Sequence, residues 1–135
     1  MNIWRINLKP GSINGIDPRK LCLTNGIVGV GWQINYSKIP VEWELYEKEA
    51  VNLYVNNGDK SWRPALNAMR HNIKKDDLIW TRDRQGIYYI GRIKSDWYYE
   101  TSEDCRHADI VNVRDCDWQV AWSRDTFLSA LLIVF

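Results

Sequence analysis

The chain has 135 residues, a net charge of +1 and three cysteines. That length suits one domain, 1–135, able to bury roughly two thirds of its unfolded surface. A run of about twenty apolar residues is absent, which excludes a spanning helix, and there is no charged-then-apolar leader, so a cytoplasmic protein with no membrane partner is expected. Cys22, Cys105 and Cys116 have no CxxC or other metal spacing and read as free thiols, with no metal and no cofactor expected.

Along the chain, IWRINL (3–8) alternates apolar and polar residues up to Pro10-Gly11, a strand and a turn. A short helix fits PRKLCL (18–23). IVGVGW (27–32) is rich in β-branched residues without polar alternation, so a buried strand ending at Trp32 is predicted. From Val41 to Asn57-Gly58 the period changes. Trp43, Tyr46, Ala50, Leu53 and Tyr54 recur at spacings of three and four, with Glu42, Glu44, Glu47 and Lys48 between them, an amphipathic helix. A second helix fits Ser61 as N-cap, Pro64 in the first turn, and Leu66, Met69 and Ile73 on one face. Residues 77–83 and 86–95 form a hairpin about Arg84-Gln85-Gly86. The stretch 96–109 reads as irregular, 109–120 as a strand, and Ser123 as a cap before a last apolar segment. The order β, β, α, α, hairpin, β, α predicts an α+β domain with a curved or barrel-like sheet. The apolar end LLIVF suggests the front module of a longer protein.

Two features point beyond a plain fold. Eight Trp and seven Tyr stand against two Phe, so nearly every ring carries a polar edge, as at stacking platforms and aromatic cages. From Lys60 to Lys94, nine Lys/Arg face three Asp, a local charge of +6 that leaves −5 for the rest and can mark a face for a polyanion. Catalytic patterns are sparse. There is no Walker loop, GxGxxG, HExxH or GxSxG, and no clustered carboxylates of a nuclease. His107, beside Cys105 in the polar stretch, is the one candidate general base; His71 lies in a basic helix.

The N-terminal WR strand, GIVGVGW, the segment KKDDLIWTRDRQGIYYIGRIKSDWYYE and a late RH before VNVRDCDW follow one another in a recognisable order. Together they resemble the PUA-like superfamily over about residues 3–122. The resemblance is to its EVE branch and the related YTH domains, and closest to the versions fused at the front of prokaryotic Mrr- and McrB-like modification-dependent restriction proteins. Three departures stand out. Asp76-Asp77 replaces the usual GD, DWYY is one aromatic richer than YxY, and RHADIVNV replaces HxRxVxW. The resemblance implies an EVE-type barrel-like sheet flanked by helices, and a pocket that sandwiches a base flipped from nucleic acid.

Carried onto this sequence, Trp32 is one wall, with a plain core Trp as its alternative. Trp97, then Tyr99 and Tyr98, supply the opposite wall. Trp80 is pocket-lining or core, and Asn7 sits near an edge-reading position. Lys74, Lys75, Arg82 and Arg84 fit flanking phosphates. Trp4, Trp118 and Trp122 are left to the core or the far side. The implied function is non-catalytic reading of a modified base in double-stranded DNA. It would target a restriction or phage-defence protein whose nuclease or NTPase lies in a fused or associated effector. The alternatives are a YTH-type modified-RNA reader, an ASCH-type enzyme acting on nucleoside-like molecules through His107, and a protein-interaction domain.

Overall fold

The computed structural model describes residues 1–8 and 15–121. The turn at Pro10-Gly11, Trp122 and the apolar segment after Ser123 lie outside the described residues. The elements are β1 (Ile3–Arg5), α1 (Pro18–Asn25), β2 (Ile27–Val30), α2 (Trp43–Leu53), a 3-10 turn (Val55–Asn57), α3 (Trp62–Asn67) running into a π turn (Ala68–Asn72), β3 (Leu78–Arg82), β4 (Tyr88–Ile93), β5 (Tyr98–Tyr99), α4 (Glu103–Ala108) and β6 (Asn112–Ala121). The fold is α+β: one mixed six-stranded sheet in the order β1-β3-β4-β6-β2, with β5 added to β6. Among the described strands only β1 and β3 run parallel.

The sheet curls without closing among the described residues. Val28 of β2, Ile79 of β3, Ile93 of β4 and Cys116 of β6 share one buried cluster, against which Trp4 of β1 packs. In a flat sheet β1 and β2 would lie about 19 Å apart, four spacings of about 4.8 Å. Curvature brings the two edges over a common core.

Local chemistry explains the boundaries. Pro18 opens α1, the Asp17 carboxylate accepts from the Arg19 amide at 2.9 Å, and Gly26 closes it at φ 66°. Ser61 does not cap α3 through its side chain; the Asp59 carboxylate does, accepting from the Ser61 and Trp62 amides at 2.7 and 2.9 Å. The stretch 96–109, read as irregular, contains β5 and α4. Ser102 caps α4, acids fill its first turn and bases its last, and Asp109 ends it at φ 54°. The last strand accordingly begins at Asn112 rather than at 109. All three cysteines are buried free thiols, and burial pushes the Cys22 thiol up to about 12.

Asp77, at the head of β3, ties that strand to β1. Its carboxylate is 2 % exposed and accepts from the Asn2 amide (3.0 Å), the Trp4 indole (2.9 Å) and the Lys74 amide (2.8 Å). Desolvation pushes its pKa up, but those three donors outweigh it and the net shift is downward. A carboxyl whose folded pKa lies below its unfolded value of about 3.9 stabilises the fold above that value and loses the effect as pH falls. The stability of the native protein therefore drops below about pH 4. Asp77→Ala, leaving three donors unmet, is expected to lose about 2–4 kcal/mol at neutral pH and to flatten that acid slope, measured by urea unfolding across pH. A slope as steep as in the wild type would show that other carboxylates set it.

Candidate functional site

The β-branched run predicted through residue 32 stops as a strand at Val30. A Cβ on Gly29 would meet the Asn112 carbonyl at 2.6 Å, and one on Gly31 would collide with the Asp109 carboxylate. The glycines thus admit the protein's own β6 and the end of α4, not the path of a guest. Trp32 then takes φ 64°, a left-handed backbone costly for a bulky side chain, on the order of 1–3 kcal/mol. Two bonds hold it there. The Tyr46 hydroxyl donates to its carbonyl at 3.0 Å, and its indole N–H donates to Asp59 Oδ2 at 3.0 Å. Asp59 therefore fixes the Trp32 ring and the start of α3 with one carboxylate. The Trp32 indole, followed by the Ser61 and Trp62 amides, keeps its pKa lowered.

A buried polar hub joins Trp32 to the second indole. Tyr46 of α2 also accepts from Trp62 Nε1 (3.0 Å) and Asn112 Nδ2 (2.9 Å). Asn112 donates to the Gly31 carbonyl at 2.6 Å and accepts from Trp97 Nε1 at 3.0 Å. Burial pushes the Tyr46 phenol far up, so it stays protonated and available as a donor. Every hydrogen-bonding atom of the Asn112 amide is thereby engaged.

Around this hub the rings are close. Trp97 meets Trp43 edge-on at 5.1 Å and Tyr46 at 5.9 Å; Tyr99 meets Tyr46 at 5.5 Å and Tyr36 at 5.7 Å. The Tyr99 hydroxyl accepts from the Ile34 amide at 3.2 Å, and the Tyr54 hydroxyl donates to the Gln33 carbonyl. These two bonds set the loop after Trp32. Tyr46 and Tyr99 are buried, whereas Trp32, Tyr36, Trp43 and Trp97 stay half-buried at the rim. The Arg70 guanidinium lies over Trp43, 4.0 Å from the ring centroid.

Of the residues singled out from sequence, Trp32, Trp97 and Tyr99 come together here. The others do not. In the two-residue β5, Tyr98 alternates to the opposite side, packing against the cluster of Leu21, Cys22 and Ile27 and donating to Asp115 at 2.6 Å. Trp80 packs with Tyr88 beside Leu78 and Ile90, under the Arg5 guanidinium. Asn7 is exposed on the chain leaving β1, between Ile6 and Leu8, which turn inward. Lys74 and Lys75 precede β3, at the end of the sheet from which β4 leads on to β5 and the aromatic cluster. Arg82 and Arg84 lie at the other end of that strand, about 17 Å away for its five residues. The basic tract is split.

Sequence reasoning read Trp43, Tyr46 and Tyr54 only as a helix stripe, and missed Asp59 and Asn112, isolated polar residues with no local signature. Cys105 and His107 stand two positions apart on α4, a spacing that turns side chains to different faces of a helix. Cys105 is buried with its thiol pushed up by desolvation, while half-buried His107 sits 3.8 Å from Glu103 one turn back on α4. Among the described residues no cluster of His, Cys, Asp or Glu could hold a metal ion, and no helix is long and apolar enough to cross a membrane.

Residues 4–130 match the family described as a domain of unknown function, DUF8426, and the chain belongs to that family. Neither a curated protein nor a solved structure matches it.

Proposed function

We propose that the aromatic rim at the end of β2 receives a single flat guest, a modified nucleobase flipped out of DNA, and that the domain is a PUA-like, EVE-type reader rather than a catalyst. The observation that carries this reading is that two half-buried indoles, Trp32 and Trp97, border the same aromatic cluster from separate strand ends. Both N–H groups are already committed to Asp59 and Asn112. Rings locked in this way lose little freedom on binding and offer apolar surface to a planar ligand. Base extrusion costs a few kcal/mol, and each stacked ring returns about 1–3 kcal/mol. Burying one added methyl contributes about 0.8 kcal/mol, so discrimination for the modified base is modest unless a hydrogen bond assists. Lys74, Lys75 and Arg70, on the same end of the sheet, supply sequence-independent contacts to flanking phosphates. Cleavage would belong to a fused or associated restriction or phage-defence effector.

A tryptophan-fluorescence titration with matched methylated and unmodified duplexes tests the proposal. Trp32→Ala and Trp97→Ala are each expected to weaken binding of the methylated duplex about 10- to 100-fold. Wild-type affinities equal for both duplexes, or both variants binding as wild type does, would overturn it. Tighter binding of the matched RNA would move the same pocket to a modified-RNA reader.

A further inference from the structure

A cleft of about 550 Å³ opens between the first turn of α1 and the β3–β4 turn. It lies at the end of β3 away from Lys74, Lys75 and the aromatic rim. Arg19 and Lys20 line one side, Arg84 and Gln85 the other. None of the three cations makes an ion pair among the described residues, although Asp17 and Asp83 also line the cleft. Both Asp83 oxygens are occupied, by the Ile87 amide at 2.9 Å and the Tyr89 hydroxyl at 3.3 Å, and Asp17 accepts from the Arg19 amide. Arg19 is the most constrained of the group. One terminal nitrogen donates to the Leu8 carbonyl at 2.9 Å, while Nε is buried with no partner among the described residues. With one terminal nitrogen tied to the Leu8 carbonyl, the Arg19 guanidinium is fixed in place beside the cleft.

We infer that this cleft is a second binding site, for a phosphate-bearing ligand of about nucleotide size. Three cations on facing walls against two carboxylates leave the cleft net positive, and guanidinium groups match phosphate oxygens in geometry. The volume falls within the range of small-ligand pockets and exceeds what a lone phosphate fills. The inference does not rest on base reading at the aromatic rim.

Amide shifts of the ¹⁵N-labelled chain, titrated with pyrophosphate, adenosine triphosphate and an unmodified DNA duplex, provide the test. Pyrophosphate should shift Arg19, Lys20 and Gln85 saturably. The double variant Lys20→Glu/Arg84→Glu, both positions exposed, should bind at least tenfold more weakly with an unchanged melting temperature. Trp32→Ala should leave the effect intact, which separates this site from the aromatic rim. Adenosine triphosphate binding tighter than pyrophosphate identifies a free nucleotide as the source of the phosphate, and displacement of pyrophosphate by the duplex identifies nucleic-acid backbone. No saturable shift with any of the three probes, or charge-reversed protein binding as the wild type does, overturns the inference.

Discussion

Asn112→Ala is expected to destabilise the native protein by about 2–5 kcal/mol and to release the Trp97 wall of the aromatic rim, while Trp32 keeps its bonds to Asp59 and Tyr46. The residue is 0 % exposed, and its amide is the only partner of the Trp97 indole N–H among the described residues. Truncation leaves that donor unmet, removes the donor to the Gly31 carbonyl and takes one of three partners from the Tyr46 hydroxyl. Each buried polar group left unsatisfied costs about 1–3 kcal/mol, and Tyr46 is cushioned by the bonds to Trp32 and Trp62 that it keeps. The loss corresponds to a melting temperature lower by about 10–15 °C at the midpoint of that range. A structural defect elsewhere in the sheet would lower stability without touching the indoles. The diagnostic readout is therefore a red shift of tryptophan emission in protein that is still folded, well below the transition. A loss under 1 kcal/mol with unchanged emission would mean that the rings are held by packing alone.

What the sequence revealed of this fold followed the reach of its local signals. The β3–β4 hairpin was legible because alternation and the Arg84-Gln85-Gly86 turn act within a dozen residues, and Gly86 does adopt φ 84°. Helix α2 was legible from its 3.6-residue stripe, since Tyr46 and Ala50 are its fully buried residues. α4 escaped because six residues are too few to establish a period, although Ser102, Glu103 and Asp104 carried the capping pattern. The site was harder. Pattern located the aromatic residues but not their side of the sheet, so Tyr98 was grouped with Tyr99 across a strand that separates them. Asp59 and Asn112 act on partners 27 and 15 residues away, Trp32 and Trp97, and no spacing rule connects such pairs. The close approach at the glycines of GVG left no local signal, because their neighbours, Asn112 and Asp109, come from a distant strand and helix end.

Arg114→Met is expected to cost about 3–5 kcal/mol, comparable to the hub itself, and to act on the helical layer rather than on the rings. The predicted single helix through Ile73 instead breaks after Asn67 into a π turn, with the Ile73 amide bonded to the Ala68 carbonyl at 3.0 Å. The wider turn is accompanied by a guanidinium in place of the usual ladder. Arg114, 2 % exposed on β6, donates Nη1 to the Met69 and Ile73 carbonyls at 2.9 and 2.7 Å and Nε to the Ser95 carbonyl at 2.6 Å. Desolvation lowers its pKa, opposed by the carboxylates of Asp96 and Asp77. Backbone dipoles, with no ion pair among the described residues, thus solvate this charge. Methionine fills much of the same volume but supplies no donor, so three carbonyls are left unmet and only part of that cost is offset by removing a buried charge. Lysine keeps the charge yet has no planar fork to span the π turn and Ser95 together, so it should restore less than half of the loss. Hydrogen exchange locates the effect: amides of Ala68–Ile73 should exchange faster in Arg114→Met while those of the β3–β4 hairpin keep their protection. Uniform loss of protection across both would instead make Arg114 a general core residue, and the π turn would then be a property of its own backbone.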